Sequence, residues 1–205
     1  FHHKSYKLKR KLFLNAKIFK SIESNMNVVR VWGSGYYLNY LLDICDELRI
    51  LVWQDFMFGC SQYPNNEVFS QKAADELHDN NLCMKHHLCI ILWCGYNEAI
   101  SCFLFTEEYA SWLHEEYGKF NTFCKELCIK YNPTRTWLPS SPCDGTGNIN
   151  SEWMSEKRGD LHFRKVWHGG KPFESFYTVK PRFCSEFGFK SNSSLLVVKT
   201  FNPSD

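Results

Sequence analysis

The fold is decided by residues 28–53, VVRVWGSGYYLNYLLDICDELRILVW. This stretch begins and ends with short apolar runs, Val28 to Trp32 and Ile50 to Trp53, which are typical of strands buried on both faces of a parallel sheet. Between the runs, apolar residues recur at helical spacing and predict a helix from about Tyr37 to Leu48: Leu38, Leu41, Leu42, Cys45 and Leu48. Strand, helix and strand follow one another, which is the unit of an α/β fold.

The same alternation continues along the chain. Helices are predicted from about Ser70 to Lys85 and from about Glu107 to Tyr131, where Pro133 ends the helix. Four more strands are predicted, over Ile90–Trp93, Thr136–Leu138, Leu161–Val166 and Arg182–Phe187. No repeat or linker divides the chain, so one domain is expected. Periodicity allows an open sheet or a closed (β/α)₈ barrel, and the lack of a G-x-G-x-x-G motif after the first strand favours the barrel.

Composition limits the classes of partner. The 205 residues are 44% hydrophobic and 17% aromatic, which indicates a globular protein with a sizeable core. The 24 basic and 22 acidic residues nearly balance, so we expect neither a nucleic acid nor a membrane as partner, and a neutral ligand fits better. The basic cluster within residues 1–17 is expected to be a solvated helix or a frayed terminus. Every apolar run is shorter than the roughly 20 residues that span a bilayer.

The ten cysteines lie singly inside apolar segments and are expected to be mostly buried thiols. The tightest group of possible metal ligands, Cys83, His86, His87 and Cys89, matches no standard zinc spacing, so no metal site is expected there. The cysteines leave the cellular compartment open, because buried reduced thiols occur on both sides of a membrane.

Functional side chains of such barrels lie at the C-terminal ends of the strands. The polar or aromatic candidates in or after the predicted strands are Arg30, Trp32, Gln54, Asp55, Asn97, Glu98, Ser140, Ser141, His162, Trp167, His168, Ser185 and Glu186. Glu98 and Glu186 are flanked by apolar sequence, where a buried charge is costly unless it is paired or functional. A retaining glycosidase needs one protonated and one ionised carboxyl about 5 to 5.5 Å apart. An ion pair between either glutamate and an interior arginine such as Arg30 or Arg182 fits the sequence equally well, so the residues alone leave both interpretations open.

Four segments, in this order and spacing, resemble consecutive motifs of the β-mannosidases of glycoside hydrolase family 2. They are Asn27 to Gly33 (NVVRVWG), Trp53 to Phe58 (WQDFMF), Trp93 to Glu98 (WCGYNE) and Ser185 to Phe189 (SEFGF). The similarity extends from about Ile18 to about Asp205. It implies an α/β fold that is an incomplete (β/α)₈ TIM barrel containing about strands two to seven of eight.

By this resemblance, Glu98 would be the acid/base and Glu186 the nucleophile of a retaining exo-glycosidase that hydrolyses terminal β-D-mannosyl residues. Asn97 would bind the sugar 2-hydroxyl, Arg30 would keep the nucleophile ionised, and Trp32 would wall the sugar site. Further substrate-binding candidates are His162, His168, Trp167, Tyr63 and Asp55, although an aspartate behind a strand is often only a helix cap. No metal or organic cofactor is implied, and the partner would be a β-mannoside oligosaccharide or glycan.

Four residues depart from the family pattern. Tyr96 replaces a small or amide residue, Lys190 replaces a glutamine and Arg164 replaces a tryptophan, and each of these changes affects the region of the expected sugar site. Arg49 replaces a glycine that suits a left-handed helix end. The alternatives are another β-glycosidase of the family, acting on galactosides, glucuronides or glucosaminides, or a truncated, non-catalytic product. An animal-type family member would be lysosomal; the localisation is otherwise unknown.

Overall fold

The computed structural model describes residues 15–33, 35–36, 39–64, 66–99, 117–145, 154–189, 191 and 194–201. Within these residues the strands are β1 (Val28–Val31), β2 (Leu51–Asp55), β3 (Ile90–Cys94), β4 (Thr136–Leu138), β5 (Leu161–Phe163) and β6 (Cys184–Phe187). The helices are α1 (which includes 15–23), α2 (Asn39–Leu48), α3 (Glu67–Met84), α4 (Gly118–Tyr131), α5 (Ser175–Thr178) and α6 (Leu195–Phe201). Strands and helices alternate through most of the chain, which confirms the predicted α/β class.

All neighbouring strands are parallel. The first four form one sheet in chain order, β1-β2-β3-β4, and β5 pairs with β6 in a second sheet. Single bridges continue the first sheet beyond its strands, from Gly59 to Asn97 and from Asn97 to Ser141. Because parallel strands end at the same edge, the segments that follow them are brought together there.

The predicted strands all exist; β4 has the predicted bounds, and the ends of the other strands are shifted. β2 runs on to Asp55, so this residue lies within a strand and caps no helix. β5 ends at Phe163 rather than Val166, because the carbonyl of Arg164 accepts hydrogen bonds from the amides of His168 (2.8 Å) and Gly169 (3.3 Å) and thereby closes a turn. A Cβ on Gly169 would lie 2.6 Å from the Lys165 carbonyl oxygen, so this turn requires glycine.

The helix predictions are also close to the structure. α3 begins at Glu67, a little before the predicted Ser70, because the Asn66 side chain accepts a hydrogen bond from the Phe69 amide (2.9 Å) and caps the helix. α4 agrees with the predicted end at Tyr131; residues 107–116 lie outside the described part, as do residues 1–14 of the basic segment. Arg49 has a φ of 59° at the end of α2, which is the left-handed conformation predicted for it.

The main core lies between the first sheet and the helices packed on it. Its fully buried side chains include Leu41, Leu42, Val52, Ile90 and Trp93, and α3 packs on α4. Six of the nine cysteines in the described residues are buried, and all nine are free thiols, as predicted for most of them. Within the same residues, no helix has both the length and the apolar character needed to cross a bilayer.

Candidate active site

Polar side chains from both sheets converge at the C-terminal ends of the strands. They surround a pocket of about 450 Å³ whose lining residues are Arg30, Trp32, Asn97, Glu98, Arg164, Ser185 and Glu186. Five of these seven were predicted from the sequence as site residues. Ser185 was a strand-end candidate without an assigned role, and Arg164 was noted only as a departure from the family pattern.

Arg30 projects from β1 and binds acceptors from three other segments. Its Nη2 atom donates to Asp55 Oδ2 (2.7 Å) and to Asn97 Oδ1 (2.8 Å), and its Nη1 atom donates to Glu186 Oε1 (2.9 Å). Its guanidinium carbon also lies 5.2 Å from the ring centre of Trp53, a cation–π contact. One planar cation therefore orients both an amide and a carboxylate of the pocket wall.

Asp55 holds Arg30 from below the pocket. It is completely buried, and its Oδ1 atom also accepts from the indole N–H of Trp53 (2.8 Å). Burial opposes the charge of Arg30, but Asp55 and Glu186 outweigh it and raise the Arg30 pKa above its ordinary value. Asp55, which the sequence placed among the substrate-binding candidates, is absent from the pocket lining, so its observed contacts position Arg30.

Glu98 enters the pocket from a constrained backbone. It follows β3 with a φ of 56°, a left-handed value that is uncommon for any residue except glycine. The Glu98 amide donates to the Ser141 carbonyl (2.7 Å), and the neighbouring Asn97 amide donates to the Phe58 carbonyl (2.8 Å). These bonds to the segments that follow β2 and β4 hold the Asn97–Glu98 pair at the sheet edge.

His162 lies between the two glutamates. Its Nδ1 atom is 2.8 Å from Glu98 Oε1, and its Nε2 atom is 3.7 Å from Glu186 Oε1. Ligand atoms of these three residues all lie within 4.8 Å of one another, so the two carboxyl groups are close neighbours although 88 positions separate them. Both glutamates retain partly exposed side chains, 14% for Glu98 and 23% for Glu186.

Arg164 also bridges the same two carboxylates. Its Nη2 atom lies 2.6 Å from Glu98 Oε1 and 2.5 Å from Glu186 Oε2, and its Nε atom donates to Glu98 Oε1 (2.9 Å). The sequence showed Arg164 only as a departure from the family pattern. Its position directly after β5 was the available signal, because side chains at strand ends face the site.

The protonation of Glu98 follows from these neighbours. Burial acts to raise its pKa, but the hydrogen bond and charge of His162, together with Arg164, outweigh burial and lower the pKa to about 2. Glu98 is therefore ionised at neutral pH in this arrangement. A general acid needs the opposite state, a protonated carboxyl.

A second polar network, which the sequence did not reveal as a unit, supports His162. Ser141 Oγ lies 2.9 Å from His162 Nε2 and donates to Asp160 Oδ2 (2.6 Å), and Ser185 Oγ donates to the same oxygen (2.5 Å). These contacts join the end of β4 to β5 and β6. They fix the imidazole between the glutamates.

The other predicted site residues have different positions. Trp167 lines a neighbouring cavity of about 430 Å³ together with Arg164 and Glu186. His168 is exposed in the turn after β5, and the strand position paired with Glu186 belongs to His162 instead. Tyr63 hydrogen-bonds to Gly59 and packs on Phe58, outside the lining of the pocket.

Two of the residues that depart from the family pattern, Tyr96 and Lys190, are not among the described residues that line the pocket. Tyr96 is fully buried in an aromatic cluster with Tyr63 and Tyr117, away from the pocket lining. Lys190 lies outside the described residues.

Two groups within the described residues bring possible metal ligands together. Glu98, His162 and Glu186 form one, but two arginines already supply positive charge to its carboxylates. Asp46, His87 and Cys89 form the other, where Asp46 already binds the His87 ring (2.7 Å) and the Cys89 amide (2.5 Å). Burial raises the pKa of the Cys89 thiol, which disfavours the thiolate that a metal requires.

The chain matches no protein-family model. It is 30% identical to β-mannosidase B of Thermothelomyces thermophilus over 194 residues, which are 88% of this chain and 22% of the relative. It is 32% identical to β-mannosidase of Bos taurus over 187 residues, which are 83% of this chain and 20% of the relative. The chain thus spans about one fifth of the length of these curated relatives.

Solved structures give the same result. The crystal structure of β-D-mannosidase from Dictyoglomus thermophilum matches with a TM-score of 0.78 and 32% identity, over 90% of this chain and 22% of that one. β-Glucuronidase 2 of Bacteroides uniformis matches with a TM-score of 0.59 at 18% identity, which shows a shared fold alone. In sequence and in fold, the chain is therefore similar to about one fifth of a β-mannosidase of glycoside hydrolase family 2, which confirms the resemblance predicted from its motifs.

Proposed function

We propose that the protein is a retaining exo-glycosidase that releases terminal β-D-mannosyl residues from oligosaccharides or glycans. The observation that carries this proposal is the pair of carboxyl groups, Glu98 and Glu186, in a pocket at the strand ends: one oxygen of each lies within 4.8 Å of one oxygen of the other. Retaining enzymes place these groups about 5 to 5.5 Å apart, whereas inverting enzymes separate them by about 6.5 to 9.5 Å.

In the proposed mechanism, Glu186 attacks the anomeric carbon while Glu98 donates a proton to the oxygen of the leaving group. The resulting mannosyl ester on Glu186 is then hydrolysed by a water molecule that gives its proton to Glu98, so the configuration is retained. Arg30 holds the Glu186 carboxylate in the wall of the pocket through its 2.9 Å hydrogen bond. Asn97 is held by the same guanidinium, and its amide would contact the 2-hydroxyl, where hydrogen bonds strengthen in the transition state.

We place the six strands as the second to the seventh of a (β/α)₈ barrel. Parallel strands in chain order, with polar side chains gathered at their C-terminal ends, support this placement. The domain of residues 1–205 would then be part of a catalytic barrel. An enzyme of the same family with another sugar specificity remains the alternative, because both carboxylates would be shared.

A non-catalytic role is the alternative from a different class. One observation favours it: the ion pairs that Arg164 makes with Glu98 and Glu186. A protein of this kind would bind sugar weakly without hydrolysing it.

The test uses hydrolysis of an aryl β-mannoside by the full-length protein. Glu98→Ala and Glu186→Ala should each lower kcat by at least about a thousandfold, because each removes one half of the double displacement. Glu126→Ala, an exposed glutamate on α4, is the matched control and should leave kcat unchanged.

Azide distinguishes the two roles. In Glu186→Ala, azide should attack the anomeric carbon of the substrate directly and give the mannosyl azide of inverted configuration. In Glu98→Ala, azide should attack the mannosyl ester on Glu186 and give the mannosyl azide of retained configuration. Near-wild-type turnover by either variant would overturn that residue's assignment.

A further inference from the structure

The guanidinium of Arg164 takes up the space between the two carboxyl groups. A single nitrogen, Nη2, lies 2.6 Å from Glu98 Oε1 and 2.5 Å from Glu186 Oε2. In a productive complex the anomeric carbon approaches the nucleophile to about 3 to 3.5 Å. The oxygen of the leaving group must meanwhile come within about 2.6 to 3.2 Å of the acid. One arginine nitrogen therefore stands where these two substrate atoms would have to be.

The rest of the site is built without Arg164. Arg30 binds Glu186 through the carboxylate oxygen that Arg164 does not contact, and His162 keeps its own bond to Glu98. Withdrawal of the Arg164 guanidinium would thus leave both glutamates with a partner.

Arg164 is also placed where its side chain can leave. Its side chain is 34% exposed, whereas that of Arg30 is 12% exposed. The backbone of Arg164 is held by the turn after β5, so only the flexible side chain has to move. Ion pairs of partly exposed long side chains are weak, because water screens them and ordering the chain costs entropy.

We propose that Arg164 is an internal occupant of the sugar-binding pocket, which a ligand must displace before a sugar ring can lie between Glu98 and Glu186. This inference rests on the proposed function, since it concerns the same pocket. A ligand whose ring nitrogen carries positive charge next to the anomeric carbon competes with the guanidinium directly, because it offers a cation to the same two carboxylates. Departure of Arg164 also removes one of the two neighbours that lower the Glu98 pKa, so this pKa should rise when a ligand displaces the guanidinium.

The first experiment measures the binding of 1-deoxymannojirimycin, a protonated iminosugar, to the full-length protein by calorimetry at neutral pH. Arg164→Met removes the charge and keeps a flexible apolar side chain. Its Kd for the iminosugar should be at least about tenfold lower than that of the wild type, which is a gain of about 1.4 kcal/mol in binding free energy. Arg164→Lys keeps a cation and should bind nearly as weakly as the wild type. Arg158→Met makes the same change of charge at an arginine that is 61% exposed and outside the pocket lining, and its Kd should be unchanged.

The second experiment follows the Glu98 carboxyl by carbon NMR in protein labelled at glutamate, with Glu98→Gln to assign the signal. The Glu98 pKa should be about 2 in the wild type and should rise in Arg164→Met, because the charge and hydrogen bond of Arg164 are among the causes that lower it. An unchanged or larger Kd for Arg164→Met overturns the proposal. If no variant binds the iminosugar, the titration decides, and an unchanged Glu98 pKa overturns it.

Failure of the proposed function has a different signature. In that case the iminosugar would still bind Arg164→Met more tightly and the Glu98 pKa would still rise. No variant, including Arg164→Met, would hydrolyse an aryl β-mannoside in a manner that depends on Glu186.

Discussion

At Arg30, one side chain satisfies three acceptors that come from three separate strands or strand ends. Asp55 belongs to β2, Asn97 follows β3, and Glu186 belongs to β6. Asp55 is the partner that no ligand can reach, yet it neutralises the arginine and sets its direction. The position of the proposed nucleophile consequently depends on an ion pair whose aspartate is fully buried.

This dependence predicts a stability effect at Asp55. Asp55→Ala should lower the free energy of unfolding by about 3 kcal/mol, because it leaves the largely buried Arg30 without its main counter-charge. Asp79→Ala is the control: the Asp79 carboxylate lies 3.1 Å from the His78 ring but is 80% exposed, and its loss should lower the free energy of unfolding by less than about 0.5 kcal/mol. Denaturant unfolding measures both variants, and equal effects would contradict the structural role given to Asp55.

At the scale of the elements, β3 and β4 approach closely just before the segment that carries Asn97 and Glu98. Gly95 follows β3, and its amide donates to the Leu138 carbonyl (2.8 Å). A Cβ at Gly95 would lie 2.6 Å from the Pro139 carbonyl oxygen and 2.8 Å from the Trp137 ring. The strand ends can therefore meet only because residue 95 has no side chain.

Gly95→Ala should separate the ends of β3 and β4. We expect a loss of about 1 to 3 kcal/mol in the free energy of unfolding, which is the usual cost of overpacking, and weaker iminosugar binding because Asn97 and Glu98 move. Gly35→Ala is the matched control, since a Cβ there meets no atom within 4 Å. If thermal unfolding and calorimetry showed no difference between the two alanine variants, the close approach would not constrain the site.

At the scale of the whole molecule, large apolar side chains are exposed around β6 and α6. They include Phe187 (73% exposed), Phe173 (58%), Phe189 (48%), Leu195 (68%) and Leu196 (80%). A surface of this kind favours association with other chains, as does a β-strand whose edge is unpaired. β6 pairs only with β5 among the described strands.

Residues 1–205 expressed alone should therefore associate and should not turn over an aryl β-mannoside. Light scattering should show oligomers, and Leu195→Lys with Leu196→Lys should reduce them, because charge on this surface opposes association. Val68→Lys changes an equally exposed apolar residue on α3 and should have little effect. A monodisperse monomer with Glu186-dependent activity would contradict this prediction and the placement of the strands in the barrel.

Much of the site could be predicted because it follows strands that the local pattern identifies. Glu98 and Glu186 stood out as acids in apolar surroundings, and both lie in the pocket. His168 was ranked beside His162 because the end of β5 was predicted too late, and the turn that ends β5 depends on Gly169 and the Arg164 carbonyl. Asp55 was predicted to bind substrate, but it is buried and lies outside the pocket lining. The local sequence does not show whether a polar residue at a strand end is exposed to the pocket or buried beneath it.

The sequence by itself determined the α/β class, the order of strands and helices, and the two glutamates, because hydrophobic periodicity and strand ends are properties of neighbouring residues. Only the tertiary structure decided which charges meet. Arg164 contacts Glu98 across 66 positions, and Arg30 contacts Glu186 across 156. Such pairs depend on how the parallel strands are arranged in space. The Arg164 side chain lies between two carboxylates rather than in solvent, because both carboxylates attract its positive charge.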